Sequence, residues 1–159
     1  MFVKINSLTK TFKIMKKFLV ALVAMFCVTA VSAQFSNVGV RFGAGTAITA
    51  QYDLSKANHI DGRIGFGGGW TSITGIYNWS LKNFDWTPGL GKWFFDAGVG
   101  ANVGTGGGFT TAAVVGSAQL GIKFNDVPVS VTFDLEPTLN IVGGVGFGVG
   151  SGVSIAYHF

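Results

Sequence analysis

From residue 129 to residue 136 the chain reads Val129-Ser130-Val131-Thr132-Phe133-Asp134-Leu135-Glu136, apolar at every odd position and polar at every even one. Successive side chains of an extended strand point to opposite faces, so this run makes a ribbon with one greasy and one hydrophilic side. A helix, with its period of about 3.6, would scatter the same residues around its axis. The C-terminus repeats the pattern, with Val153, Ile155, Tyr157 and Phe159 alternating with Gly152, Ser154, Ala156 and His158.

Six further segments obey the rule. Val38, Val40 and Phe42 oppose Gly39, Arg41 and Gly43; Ile48, Ala50, Tyr52 and Leu54 oppose Thr49, Gln51 and Asp53. Ile60, Ile64 and Phe66 alternate with Asp61, Arg63 and Gly65, and Ile73, Tyr77 and Trp79 with Thr74 and Asn78, Ile76 breaking the rhythm. Trp93, Phe95, Ala97, Val99, Ala101 and Val103 oppose Phe94, Asp96, Gly98, Gly100 and Asn102. Ala118, Leu120, Ile122 and Phe124 oppose Ser117, Gln119 and Lys123. Turn-forming stretches at residues 43–46, 55–58, 67–69, 81–91, 105–108, 125–128 and 140–146 separate these segments. Eight strands with short connections predict an all-β, up-and-down antiparallel barrel, one domain over residues 34–159. Pro137 lacks a backbone donor and is expected to mark a bulge.

Which side faces out is decided by the polar residues. A soluble barrel, such as a lipocalin-like ligand carrier, would show a solvated face rich in Lys and Glu. Here that face is mostly Gly, Ser, Thr and Asn, and only 11% of the whole chain is charged, against roughly 25% in average proteins. The apolar face is nearly free of charge. Lys or Arg facing lipid at mid-bilayer costs about 2–4 kcal/mol, and strands of about ten tilted residues span a bilayer. A transmembrane barrel is therefore expected, its lumen holding a charge network of Arg41, Arg63, Lys123, Asp61, Asp96, Asp134 and Glu136. With the first strand running outward, Tyr52, Tyr77, Trp79, Trp93, Phe95, Phe124, Tyr157 and Phe159 fall near the periplasmic ends, and Phe42, Phe66 and Phe147 near the other rim. Aromatic rings favour these headgroup levels.

Before residue 34 the composition changes. Residues 1–33 hold Lys4, Lys10, Lys13, Lys16 and Lys17 and no acid, whereas the rest has six bases against seven acids. The formal charge of +4 therefore belongs to the leading segment, and a nucleic-acid partner is not expected. Lys16-Lys17, the apolar run 18–31 and the small residues Ser32-Ala33 follow the plan of a secretory signal peptide, with cleavage expected after Ala33 and Met15 a plausible start. Cys27, the only cysteine, lies inside the apolar run, so the exported chain would have no disulfide. With two histidines and no cysteine cluster, neither a metal nor another cofactor is expected.

Tyr157-His158-Phe159 after Val153 and Ile155 resembles the terminal signature of outer-membrane barrel proteins, which the barrel-assembly machinery reads. Residues 38–54, with Ile122-Lys123-Phe124-Asn125-Asp126-Val127-Pro128, Asp134-Leu135-Glu136-Pro137 and Asn140, resemble small eight-stranded outer-membrane proteins of the Bacteroidota type, of the OmpA/OmpX/OmpW-like kind. The resemblance covers most of the chain after residue 33. It implies the bacterial outer membrane, contact with its lipid and lipopolysaccharide, and the assembly machinery as partner. It implies no particular activity and no oligomeric state. The expected loops are short, unlike the long external loops usual in that group, which argues against an adhesin or receptor.

The chemistry-bearing residues give few alternatives. A hydrolase resembling lipid A-modifying enzymes would need a base against its nucleophile; His59 is expected in a solvated turn, and His158 is penultimate. Asp134 and Glu136 fit salt bridges with Arg41 or Arg63 better than acid–base work. The expectation is thus a non-enzymatic barrel, with a structural role or limited passage of small solutes. All 25 glycines follow residue 33. The stripes Gly144 to Gly152, Gly98 to Gly108 and Gly65 to Gly69 suggest either a glycine-lined outer vestibule or relief of crowding in the wall.

Overall fold

Each alternating segment is a strand of one closed antiparallel barrel, in which every strand pairs with its neighbours in sequence and β1 closes on β8. The computed structural model describes residues 35–159; the expected signal peptide, the Ala33 cleavage point, Met15 and Cys27 lie outside the described residues. The strands are β1 (Phe35–Phe42), β2 (Thr46–Asp53), β3 (Asn58–Gly67), β4 (Trp70–Thr87), β5 (Gly91–Gly106), β6 (Phe109–Phe124), β7 (Val129–Val142) and β8 (Gly146–His158). The circuit is staggered. Following paired residues from Val38 through Ala50, Gly62, Gly75, Ala101, Val114 and Leu139 leads to Phe147, well beyond Val153, which pairs with Phe42 of β1. A closed sheet requires such stagger, because its strands tilt to the axis.

The turns at one end, residues 43–45, 68–69, 107–108 and 143–145, contain only Gly, Ala and Val; we call this the glycine end. Gly68-Gly69 and Gly107-Gly108 have positive φ at both positions (59° and 80°, 57° and 84°). That is the primed hairpin turn whose twist matches the strands, and side chains with a Cβ resist it. The opposite, terminal end carries residues 54–57, 88–90 and 125–128 and both described termini.

Apolar parity faces outward. Ile155, Val153, Leu135, Phe133, Ile73 and Val99 are exposed on the outer wall, while Asp134, Asn78, Asp61, Arg63 and Gln119 are buried within. Apart from Lys82 and Asp85, in the irregular end of β4, every charged strand residue lies on the inward parity. Aromatic residues gather at both ends. At the terminal end Tyr77 meets Trp79, Tyr157 meets Phe159, and Trp86 touches both Phe84 and Trp93. Phe42, Phe66, Trp70, Phe109 and Phe147 lie exposed near the glycine end.

Three local expectations are corrected. The connection expected at residues 81–91 is mostly strand: β4 continues to Thr87 through irregularities at Ser80/Lys82 and Phe84/Thr87, leaving residues 88–90 as the turn. Likewise β7 reaches Val142, so the link at 140–146 shrinks to three residues. Pro137 does not shift the register. It pairs with Val149 on one side and interrupts the β6 ladder on the other, its ring against Gly116, while the β6–β7 irregularity lies at Ala112/Ala113.

Candidate functional site

The inward residues of the closed wall meet at mid-height in a layer of ions. Arg41 on β1 reaches across the lumen, its Nε 2.9 Å from Asp134 Oδ2 on β7 and its Nη2 3.3 Å from Glu136 Oε2. Arg63 on β3 donates to the other Glu136 oxygen and lies 3.7 Å from Asp61. Asp61 Oδ2 also accepts from Asn78 Nδ2 at 2.8 Å and Gln119 Nε2 at 2.9 Å. The layer thus cross-links β1, β3, β4, β6 and β7. Charges this deep require partners, and Asp134, 1% exposed, has its own in a two-nitrogen contact from Arg41.

Five of the seven residues expected in the network are therefore brought together: Arg41, Arg63, Asp61, Asp134 and Glu136. Asp96 is buried beside them but meets His59, at 3.8 Å, rather than an arginine. Lys123 is exposed at the terminal end and opposite Lys92, with no ion pair among the described residues.

His59 corrects the expectation of a solvated turn residue. It is the second residue of β3, 4% exposed, with Nε2 3.7 Å from Asp61 and 3.8 Å from Asp96. Its odd parity, shared with Asp61 and Arg63, was the signal that places it inside. Ile76, which breaks the alternation of β4, is fully buried in the lumen, paired with Gly100; Val115 lies on Gly100's other side. A Cβ at Gly100 would approach Ile76 Cα to 2.7 Å. The glycine therefore lets the β4 backbone approach closely where Ile76 and Val115 form an apolar layer beside the ionic one.

Above the ions, toward the glycine end, is a cavity of about 240 Å³, lined by Ala47, Gly65, Ser72, Thr74 and Asn102, with Phe66 and Trp70 also against it and Arg41, Arg63 and Glu136 among its walls. Below is a space of about 50 Å³ lined by Asn37, Gln51, Asp61, Gln119, Ser130 and His158. Arg63 borders both, so its guanidinium is part of the partition between them.

The glycine stripe of β8 divides by height, whereas toward the glycine end Gly65 and Gly106 stay crowded, a Cβ at either meeting Ser72 Oγ or the Trp70 ring at 2.7 Å. A Cβ at Gly152 would lie 2.5 Å from Arg41 Cζ, and one at Gly98 would fall on Asn78. These glycines relieve crowding. At Gly148 and Gly150, nearer the glycine end, nothing approaches closer than 3.6 Å and 3.8 Å, so that part of the wall is open.

In the lower lumen His158 Nε2 and Ser130 Oγ are 2.8 Å apart, a base and a hydroxyl in contact. Among the described contacts no carboxylate orients the other ring nitrogen, the third member that activates such a pair, and Ser130 is buried. The bond ties β7 to the last residues of β8. Among the described residues no group of three His, Cys, Asp or Glu side chains is arranged to hold a metal ion.

Comparison with protein-family models, curated proteins and solved structures returned no match for this chain.

Proposed function

We propose that the chain is an integral protein of the bacterial outer membrane, similar to the small eight-stranded barrels of the Bacteroidota type, exported by residues 1–33 and serving as a non-enzymatic structural element of the envelope. One observation carries the reading: apart from Lys82 and Asp85 at the terminal end of β4, the charged strand residues lie on the inward parity, while the outer wall between the aromatic ends is uncharged and mostly aliphatic. That is the inverse of a soluble barrel, whose solvated face would be the charged one. Water supports ionic groups in a narrow lumen where they pair, and lipid supports the uncharged exterior.

In this reading outer-membrane phospholipid and lipopolysaccharide are the surrounding partners, and the barrel-assembly machinery reads Val153, Ile155, Tyr157 and Phe159. All four are on the outer wall of the closing strand, exposed. The closed ionic layer favours a structural role. The open cavity above it favours a second reading, limited passage of small solutes when that layer parts. Neither reading uses a cofactor or nucleic acid.

Fractionation of cells expressing the chain, followed by electrophoresis with and without boiling, tests the proposal. The expected result is recovery with the outer membrane and a band that migrates differently once boiled. Recovery in the periplasm without detergent would favour the soluble ligand-binding barrel. Acyl release from lipopolysaccharide that disappears in His158→Ala would favour the hydrolase.

A further inference from the structure

The cavity above the ionic layer has one wall built in rows. From the rim inward, β4 presents Trp70, Ser72 and Thr74 on its lumen face, since alternate residues of a strand share a side. Pairing sets Gly67 and Gly106 on either side of Trp70, Gly65 and Gly104 beside Ser72, and Arg63 and Asn102 beside Thr74. Glycine thus flanks the two upper rows, and polar side chains close the third. A Cβ at Gly106 would strike the Trp70 ring, and one at Gly65 the Ser72 hydroxyl. Trp70 and Ser72 therefore lie along the wall instead of across the lumen, and the cavity of about 240 Å³ is the space this leaves. One indole face covers Gly106, yet Trp70 stays 39% exposed and borders the cavity.

The polar groups beneath the indole are not used up. Asn102 Nδ2 donates to Thr74 Oγ1 at 2.6 Å, which leaves the Thr74 hydroxyl proton and Asn102 Oδ1 without a partner among the described contacts. Ser72 Oγ has none there either. These groups include both donors and acceptors. The arginines of the cavity floor are already matched, Arg41 by Asp134 and Glu136 and Arg63 by Glu136, so the recess calls for no charge on its occupant. Its volume is below the roughly 300–1,000 Å³ of pockets for drug-sized ligands, which leaves room for a single ring.

We propose that this recess binds one pyranose ring of a neutral sugar, its C–H face on the Trp70 indole and its hydroxyl edge on Ser72, Thr74 and Asn102. A pyranose has the same two sides as the recess: an apolar C–H face that packs on an aromatic ring, and hydroxyl groups that each donate and accept. A purely apolar ligand would strand the Ser72, Thr74 and Asn102 groups, at a cost for each buried without a partner. The recess belongs to the interior of the barrel, so this inference stands apart from the location proposed above.

The test uses the full chain folded in lauryl dimethylamine oxide, because a maltoside detergent would itself supply the sugar. The probes are the methyl pyranosides of glucose, galactose and mannose, read by saturation-transfer NMR. At least one is expected to receive saturation on its ring protons, with a dissociation constant of about 1 mM, as suits so small a ligand. Trp70→Ala, and separately Ser72→Ala with Asn102→Ala, are expected to weaken binding about tenfold or more while the heat-dependent gel shift persists. Trp70→Phe, which keeps an aromatic face, should retain most of the signal, and Trp79→Phe, on the outer wall, all of it. No transfer to any of the three glycosides, equal transfer in wild type and in either the Trp70→Ala or the Ser72→Ala/Asn102→Ala variant, or displacement of the glycoside by an equal concentration of inorganic phosphate overturns the proposal.

Discussion

Gly152 leaves vacant the space through which Arg41 crosses the lumen to Asp134. A methyl group there would come within 2.7 Å of the Arg41 Nε as well as its Cζ. Gly152→Ala should therefore displace the guanidinium and lower stability by about 1–3 kcal/mol, the usual range for overpacking. Gly150→Ala, where the nearest atom is 3.8 Å away, should change it by no more than about 0.5 kcal/mol. Denaturant titration of the folded barrel in detergent compares the two, and equal losses would show that the crossing does not depend on that vacancy.

Removing one partner of the buried pair should be worse than removing both. Asp134→Ala leaves Arg41 with only the longer Glu136 contact, and a loss of about 3–5 kcal/mol is expected. Arg41→Met combined with Asp134→Leu should recover most of it, because no ion is then stranded. The unfolding midpoints of the single and double variants form the cycle that measures this coupling.

Phe94 turns inward against Gly121, where a Cβ would meet its ring at 2.3 Å. Gly121→Ala is expected to destabilise the barrel by about 1–3 kcal/mol. In a Phe94→Ala background the same change should cost much less. Additive effects in thermal melts would mean that the ring is not the obstacle.

The outer wall can be probed by one charge. Leu135→Lys puts an ammonium among the exposed aliphatic residues of β7, and about 2–4 kcal/mol should be lost on folding into liposomes. In a water-soluble barrel the same change would be nearly neutral. Reversible folding in lipid vesicles distinguishes these outcomes.

Arg63 borders both internal spaces, so its removal should join them. Wild-type protein in planar bilayers is expected to show no steady conductance, and Arg63→Ala a small one that persists between applied potentials. A silent Arg63→Ala variant would place the obstruction at the Ile76–Val115 layer instead.

Most of the wall was legible because period-two parity is local. Val131, Phe133 and Leu135 declare their face without reference to any other strand, and so do Asp134 and Glu136. What parity could not show depends on the neighbour. Gly100 is glycine because the backbone at Gly75 and Ile76 comes too close for a Cβ there, a contact between two strands. β4 runs on past Ser80 because two bulges reset its alternation, making Leu81 to Thr87 read as a loop. His59 carried the right parity, but its nearness to the 55–58 turn masked it. The pairing of Arg41 with Asp134, 93 positions apart, follows from barrel stagger, which no single segment encodes.

The ring is joined where Phe42 lies beside Val153 and Asn37 beside His158. The first described strand therefore stays unpaired on one side until β8 is in place beside it. Without residues 153–158 the sheet is an open ribbon with two raw margins, and what is lost is not a tail but the seam.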